Sequence, residues 1–138
     1  MTSFVDTNIL LYAVDRSEPE KGRRAVALLE ERADDLVLSA QVLSEFYAVA
    51  TRRLPQPLSE AEAAAYIDDL ERLPIVAIDL GVVRDGIRLS REAQLSYWDG
   101  LIIAAAREAG CDVVVTEDLS HGATVGGVRI ENPFLNQS

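Results

Sequence analysis

Four acidic residues stand where a carboxylate could take part in chemistry. Asp6 follows a short β-prone segment in the string FVDTNILLY, and Asp118 follows the apolar run DVVVT in the string TEDLSHG. Glu45 flanks the apolar side of the segment SAQVLSEFYAVATRR, and Asp99 opens the largely apolar segment DGLIIAAA. Two of these residues sit at strand ends, and two lie on apolar helix faces that should pack against those strands. All four could therefore converge in one cleft.

Each residue also has a simpler interpretation when it is considered alone. Asp6 could be a helix N-cap, and Asp118 could be an acid in a turn. Glu45 could be a salt-bridged glutamate on a helix surface, while Ser96 and Asp99 could form a capping box. These interpretations stay open for each residue taken singly, but the joint arrangement favours a shared site.

Clustered carboxylates repel each other, and their pKa values rise unless a cation neutralises them. The chain has one histidine and one cysteine, so it cannot build a zinc site from imidazoles or thiolates. Carboxylate oxygens suit Mg²⁺ or Mn²⁺, which bind phosphate oxygens and activate water as a nucleophile. The pattern therefore predicts metal-dependent hydrolysis of phosphodiester bonds.

The composition is that of one folded domain with an acidic surface. The chain has 138 residues, 49% of them hydrophobic, and a formal net charge of −10. The single cysteine excludes an internal disulfide, and no stretch reads as a membrane span or signal peptide, so we expect a cytoplasmic protein. The acidic balance argues against binding nucleic acid by bulk charge and suggests a basic partner.

Strand and helix patterns alternate along the chain. Strands are predicted at residues 2–6, 36–38, 75–78, 112–116 and 128–130, and helices at 7–14, from 19, after Ser39 to about 53, 59–73, 79–93 and 97–109. Apolar strands separated by helices indicate an α/β fold with a parallel sheet covered on both faces. We expect one domain over residues 1–134 and a flexible tail at 135–138.

Taken in order, the four motifs resemble the signatures of PIN-domain ribonucleases, and more narrowly those of VapC-type toxins from bacterial toxin–antitoxin pairs. The resemblance runs from residue 3 to about residue 134, and all four acidic positions agree with it. No single motif is specific, whereas the ordered set is. The resemblance implies a PIN-like three-layer α/β/α fold with a five-stranded parallel sheet.

The resemblance also implies a Mg²⁺-dependent endoribonuclease that cuts structured RNA, works as a homodimer and is blocked by an antitoxin whose basic segment occupies the acidic cleft. Asp6 and Asp99 are the best candidates for direct metal ligands, and Glu45 and Asp118 for ligands through water or to a second ion. Asn8 and Thr116 are then expected to support the site by hydrogen bonds.

Two rival functions come from other classes of protein. A non-catalytic PIN-like module that binds a protein partner is favoured if site acids are missing, but all four are present. A haloacid-dehalogenase-like phosphohydrolase or a phospho-receiver domain also begins with an aspartate after a strand. Both are expected to carry a lysine late in the chain, and the former a second aspartate at the position of Asn8. The only lysine here is Lys21, which disfavours both.

Other residues carry weaker signals. Arg52 and Arg53 could contact an RNA backbone, although paired arginines also suit a helix C-terminus. Trp98 is expected to pack into the core. Lys21 and the arginines beside it are interpreted as a solvated helix face.

Overall fold

The computed structural model describes residues 1–135, and they form six α-helices, one short 3₁₀ helix (Ala33–Asp35) and six strands. The strands are β1 (Ser3–Val5), β2 (Leu36–Ser39), β3 (Ile75–Val76), β4 (Val113–Val115), β5 (Thr124–Val125) and β6 (Val128–Glu131). The helices are α1 (Thr7–Val14), α2 (Pro19–Glu31), α3 (Ala40–Ala50), α4 (Glu60–Leu70), α5 (Leu80–Ala93) and α6 (Tyr97–Glu108). The tail predicted at 135–138 lies outside the described residues except for Leu135.

The strand order in the sheet is β3-β2-β1-β4-β6-β5. The chain runs from β1 outward through β2 to β3, then crosses back to place β4 on the other side of β1. Ligands of such sheets bind at the carboxyl ends of the strands where the order reverses. In this chain Asp6 follows β1 and Asp118 follows β4, so both lie at that reversal.

The α/β class is confirmed, but the strand count differs from the prediction. Five strands are parallel, as expected, and β5 adds a sixth strand antiparallel to β6. Gly126 and Gly127, with φ of 57° and 83°, make the two-residue turn that joins β5 to β6. Such a turn needs positive φ at both central residues, which glycine allows. A two-residue strand is too short to show a hydrophobic period, which is why the sequence pattern missed β5.

The middle of the sheet is buried on both faces. Every residue of β1, β2 and β4 is buried, including the side chains that alternate in direction, so packing covers both sides of these strands. Helix α6, buried from Gly100 to Ala106, contacts β2, β4 and β6. Within residues 1–135 no helix combines the length and the apolarity that a bilayer crossing requires.

Helices begin where the sequence predicts caps. The N-cap side chains of α1, α3, α4, α5 and α6 are Asp6, Ser39, Ser59, Asp79 and Ser96. Helix ends were predicted less well: α3 ends at Ala50 and α4 at Leu70, each three residues early. A cap is a local hydrogen bond that can be read from neighbouring residues, whereas a helix end depends on what packs against the last turn.

Helices α5 and α6 cross at two glycines. A Cβ added at Gly100 would lie 2.5 Å from the carbonyl oxygen of Gly86 and 3.1 Å from Cβ of Ser90. We therefore expect Gly100→Ala to lower the free energy of unfolding by about 1–3 kcal/mol, because the helices must separate. Chemical denaturation measures this loss.

Gly81→Ala on α5 is the matched control, since the added Cβ meets no atom closer than 3.4 Å. It should leave stability unchanged or raise it by up to about 1 kcal/mol. Equal effects of the two substitutions would contradict close packing at Gly100.

Candidate functional site

Asp6 is held by both of its carboxylate oxygens. It follows β1 and is 6% exposed. Its Oδ1 accepts a hydrogen bond from the backbone N–H of Thr7 at 2.7 Å, which makes Asp6 the N-cap of α1. Its Oδ2 accepts a hydrogen bond from the hydroxyl of Thr116 at 2.8 Å. The capping interpretation is therefore confirmed for this residue, and capping leaves its role in a site a prediction.

A network around Thr116 joins the loop after β4 to the start of α1. The Thr116 hydroxyl accepts hydrogen bonds from Nδ2 of Asn8 at 3.3 Å and from the backbone N–H of Asp118 at 3.0 Å. Asn8 Nδ2 also donates to Oδ2 of Asp118 at 3.0 Å, and Asn8 Oδ1 accepts from the backbone N–H of Glu117 at 3.3 Å. Asn8 and Thr116 thus contact two of the four candidate carboxylates.

The other two carboxylates come from helices α3 and α6. Glu45 is half-buried, and its Oε1 accepts a hydrogen bond from the hydroxyl of Thr7 at 3.2 Å. Asp99 is half-buried at the start of α6, where its backbone N–H donates to Oγ of Ser96 at 3.1 Å. Thr7, which the sequence analysis did not single out, therefore connects Asp6 to Glu45.

The carboxylates interact through their charges. Burial is the main cause that raises the pKa of Asp6 from its ordinary 3.8 to about 6; hydrogen bonds from Thr116 and Thr7 oppose the rise, while Asp118 and Glu45 add to it. Burial also raises the pKa of Asp99, with Asp118 adding to the rise. Within residues 1–135 no lysine or arginine forms an ion pair with any of the four carboxylates. The cluster is therefore not neutralised by the described side chains.

The carboxylates suit a hard divalent cation that keeps some of its waters better than a metal ion enclosed entirely by protein ligands. In the described part of the chain, no three Asp, Glu, His or Cys side chains are arranged as they stand to hold a metal ion. Mg²⁺ usually keeps several waters and binds through one or two carboxylates together with substrate phosphates. The carboxylate oxygens of the cluster, which form no ion pair within residues 1–135, are donors of the kind that this mode of binding uses.

A second contact network anchors the residue between Thr116 and Asp118. Lys21 Nζ lies 2.5 Å from Oε2 of Glu117, and the hydroxyl of Tyr12 donates to Oε1 at 2.6 Å. Lys21, interpreted from the sequence as part of a solvated helix face, is partly exposed and in addition pairs with Glu117. Lys21 and Glu117 are 96 residues apart, so no local pattern could have revealed the pair. Together, α1 and α2 restrain the loop that carries Asp118.

Arg52 and Arg53 lie in the turn after α3 and are exposed. Neither guanidinium forms an ion pair or hydrogen bond with the four carboxylates in the part of the chain described, and the salt-bridge alternative for Glu45 is likewise not seen there. The role of Arg52 and Arg53 in binding an RNA backbone stays a prediction.

The raised pKa of Asp6 gives the metal-free protein a pH-dependent stability. Between about pH 4 and about pH 6 the unfolded chain releases this proton while the folded chain keeps it, so stability falls as pH rises through that range. The rise corresponds to roughly 3 kcal/mol of stability lost near neutral pH. With a chelator present, Asp6→Asn should remove this decline, as measured by denaturation at several pH values.

Asp68→Asn is the control, because Asp68 is an exposed residue of α4. It should retain the wild-type pH profile. A decline that persists unchanged in Asp6→Asn would show that another group causes it.

The sequence matches the profile of the PIN domain over residues 3–124. The chain therefore belongs to the PIN domain family, as the resemblance indicated. A search of curated proteins found no match.

Several solved structures have the same fold at low sequence identity. A toxin–antitoxin complex from Klebsiella pneumoniae is similar with a TM-score of 0.72 and 20% identity, covering 96% of this chain and 98% of that one. DNA-bound VapBC from Salmonella typhimurium has a TM-score of 0.71 and 19% identity, with coverage of 96% and 98%. Mycobacterium tuberculosis VapC20, described as a toxin that cleaves the sarcin-ricin loop, has a TM-score of 0.71 and 22% identity, with coverage of 93% and 99%.

Proposed function

We propose that this protein is a metal-dependent endoribonuclease that hydrolyses RNA phosphodiester bonds as the toxin of a toxin–antitoxin pair. The observation that carries the proposal is the cluster of four carboxylates, without a pairing cation in residues 1–135, at the strand reversal of a PIN domain. The solved structures with this fold include a toxin–antitoxin complex and an RNA-cleaving toxin, which supports the choice of substrate and partner.

Asp6 and Asp99 are the proposed metal ligands, with Glu45 and Asp118 acting through water or on a second ion. Bound Mg²⁺, or Mn²⁺ in its place, supplies a Lewis acid that lowers the pKa of a water and stabilises charge on the leaving oxygen. Thr7 and Thr116 fix the orientation of the Asp6 carboxylate, and Asn8 orients Asp118. A carboxylate oxygen of the cluster accepts the proton of the water that attacks phosphorus in line.

The alternative functions have less support. A non-catalytic PIN-like binding module does not need four carboxylates without an ion pair; burial, with a smaller contribution from Asp118 and Glu45, raises the pKa of Asp6. A haloacid-dehalogenase-like phosphohydrolase is disfavoured by the family match, and the chain's only lysine, Lys21, pairs with Glu117 and not with Asp6.

We expect Asp6→Asn and Asp99→Asn each to reduce Mg²⁺-dependent RNA cleavage by about 100-fold or more, because each removes a charged metal ligand. A chelator should abolish wild-type cleavage, and added Mg²⁺ should restore it. Cleavage of labelled RNA, followed by sequencing of the new ends, measures both effects.

Asp68→Asn on the exposed face of α4 should cleave RNA at the wild-type rate. Activity near wild type in either site variant would remove that residue from the mechanism. A wild-type protein inactive with both Mg²⁺ and Mn²⁺ would favour the non-catalytic module.

The proposed partner is an antitoxin whose basic segment lies against the carboxylates. The net charge of −10 and the unpaired cluster favour an arginine-bearing peptide. A basic peptide encoded by the adjacent open reading frame should bind, block cleavage and associate roughly tenfold or more slowly at high salt. Stopped-flow kinetics measures the rate, and a peptide that neither binds nor inhibits would refute this partner.

Two parts of the proposal rest on the family resemblance and on charge. Arg52 and Arg53 are proposed to contact the RNA backbone, because they are exposed cations in the turn that follows the helix of Glu45. The homodimer stays a prediction, which a molar mass near twice 15.1 kDa in light scattering would support.

A further inference from the structure

The single tryptophan of the chain is exposed beside the candidate site. Trp98 is 61% exposed and directly precedes Asp99. The expectation that it packs into the core is therefore wrong. Tryptophan is usually well buried, and an exposed indole leaves a large apolar surface in water. The exposed indole of Trp98 offers an apolar surface that a binding partner could cover.

Trp98 makes two contacts, one through its backbone carbonyl and one through its indole ring. Its backbone carbonyl accepts a hydrogen bond from Nε2 of Gln41 at 3.3 Å. Gln41 lies one helical turn before Glu45 on α3, so this bond joins the helix of Glu45 to the start of α6. The indole meets the ring of Tyr97 edge to face, with centroids 5.2 Å apart and planes at 61°. The backbone of Trp98 is thus bonded to the helix that carries Glu45, and the residue directly precedes Asp99.

The segment that carries Trp98 contains polar residues together with Leu95 and Tyr97, which are partly buried. Gln94 and Ser96 are exposed, and Asp99 is half-buried. The core of a protein–protein interface is depleted of charged residues, whereas Trp98 directly precedes the charged Asp99. A nucleobase has flat apolar faces and polar edges, and it carries its phosphate toward the neighbouring site. The setting therefore favours a base over the apolar face of another protein.

Stacking would also provide affinity for RNA that the acidic net charge of this protein does not. With a net charge of −10, the chain cannot hold RNA by attraction of the whole surface to phosphates. Stacking of bases on aromatic rings does not depend on a basic surface, and it requires an unpaired base. An exposed indole next to the carboxylates supplies affinity that the charge does not.

We propose that Trp98 is a base-stacking residue that binds an unpaired RNA base adjacent to the cleaved phosphate. The proposal rests on the proposed nuclease function. It assigns to Trp98 a preference for single-stranded or looped RNA over duplex, because only an unpaired base presents its face to the ring.

Trp98 is the only tryptophan, so its fluorescence reports binding without a label. The wild-type protein with chelator, which prevents cleavage, is titrated with a single-stranded oligoribonucleotide, with the duplex of the same sequence and with ribose 5-phosphate. We expect saturable quenching by the single strand, much weaker quenching by the duplex and none by the sugar phosphate.

Cleavage kinetics of Trp98 variants give a second readout. Trp98→Ala should raise KM for single-stranded RNA roughly tenfold to a hundredfold while kcat stays within about threefold, because stacking binds substrate and does not enter the chemical step. Trp98→Phe should recover most of the affinity, and Trp98→Leu should recover little. Leu80→Ala is the control, since Leu80 is 62% exposed on α5 and apolar.

The outcomes separate this proposal from the nuclease function. Quenching by single-stranded RNA without any cleavage supports stacking while the nuclease function fails. Cleavage with an unchanged KM in Trp98→Ala and no quenching overturns stacking while the nuclease function stands. A wild-type dimer that becomes monomeric in Trp98→Ala, again with no quenching by RNA, overturns the proposal and assigns the indole to a contact between two copies.

Discussion

The structure depends on a buried carboxylate that has no cation beside it in the described residues. Asp6 keeps its place because the N–H of Thr7 and the hydroxyl of Thr116 bind its two oxygens, and because it lies at the positive end of the α1 dipole. These contacts do not offset burial and the neighbouring carboxylates, so its pKa is raised to about 6. Burial of the Asp6 carboxylate lowers the free energy of unfolding, and a bound cation would raise it again.

The rest of the site is arranged around that constraint. The loop after β4 is tied to α1 through Asn8 and to α2 through the pair of Glu117 with Lys21. Glu45 is tied to the same corner by Thr7. Because the two strands that end here are neighbours in the sheet, short side chains suffice to connect segments more than a hundred residues apart.

An acidic protein with a proposed RNA substrate must obtain affinity from local features. In the proposed function, a hard cation at the carboxylates, the two exposed arginines after α3 and the exposed indole of Trp98 would each act over a few ångströms, so none requires a basic surface. The same acidic charge favours a basic inhibitor over a second acidic protein as the occupant of the cleft. In the proposed function, substrate and inhibitor would thus bind through different properties of one corner of the fold.

Sequence alone determined the features that depend on neighbouring residues. Helix starts were predicted from Asp6, Ser39 and Ser59 because a cap is a hydrogen bond across three residues or fewer. The parallel sheet and the four acidic positions followed from apolar strands and from motif order. The family profile then confirmed the PIN assignment.

Only the tertiary structure decided what depends on distant contacts. The pairing of Lys21 with Glu117, the bridge from Thr7 to Glu45 and the exposure of Trp98 all result from how segments far apart in sequence meet. The sixth strand was missed for another reason, since its two residues are too few to show a strand pattern even though β6 follows directly after the turn. Side-chain type and periodicity describe one segment at a time, and burial and pairing are properties of the assembled chain.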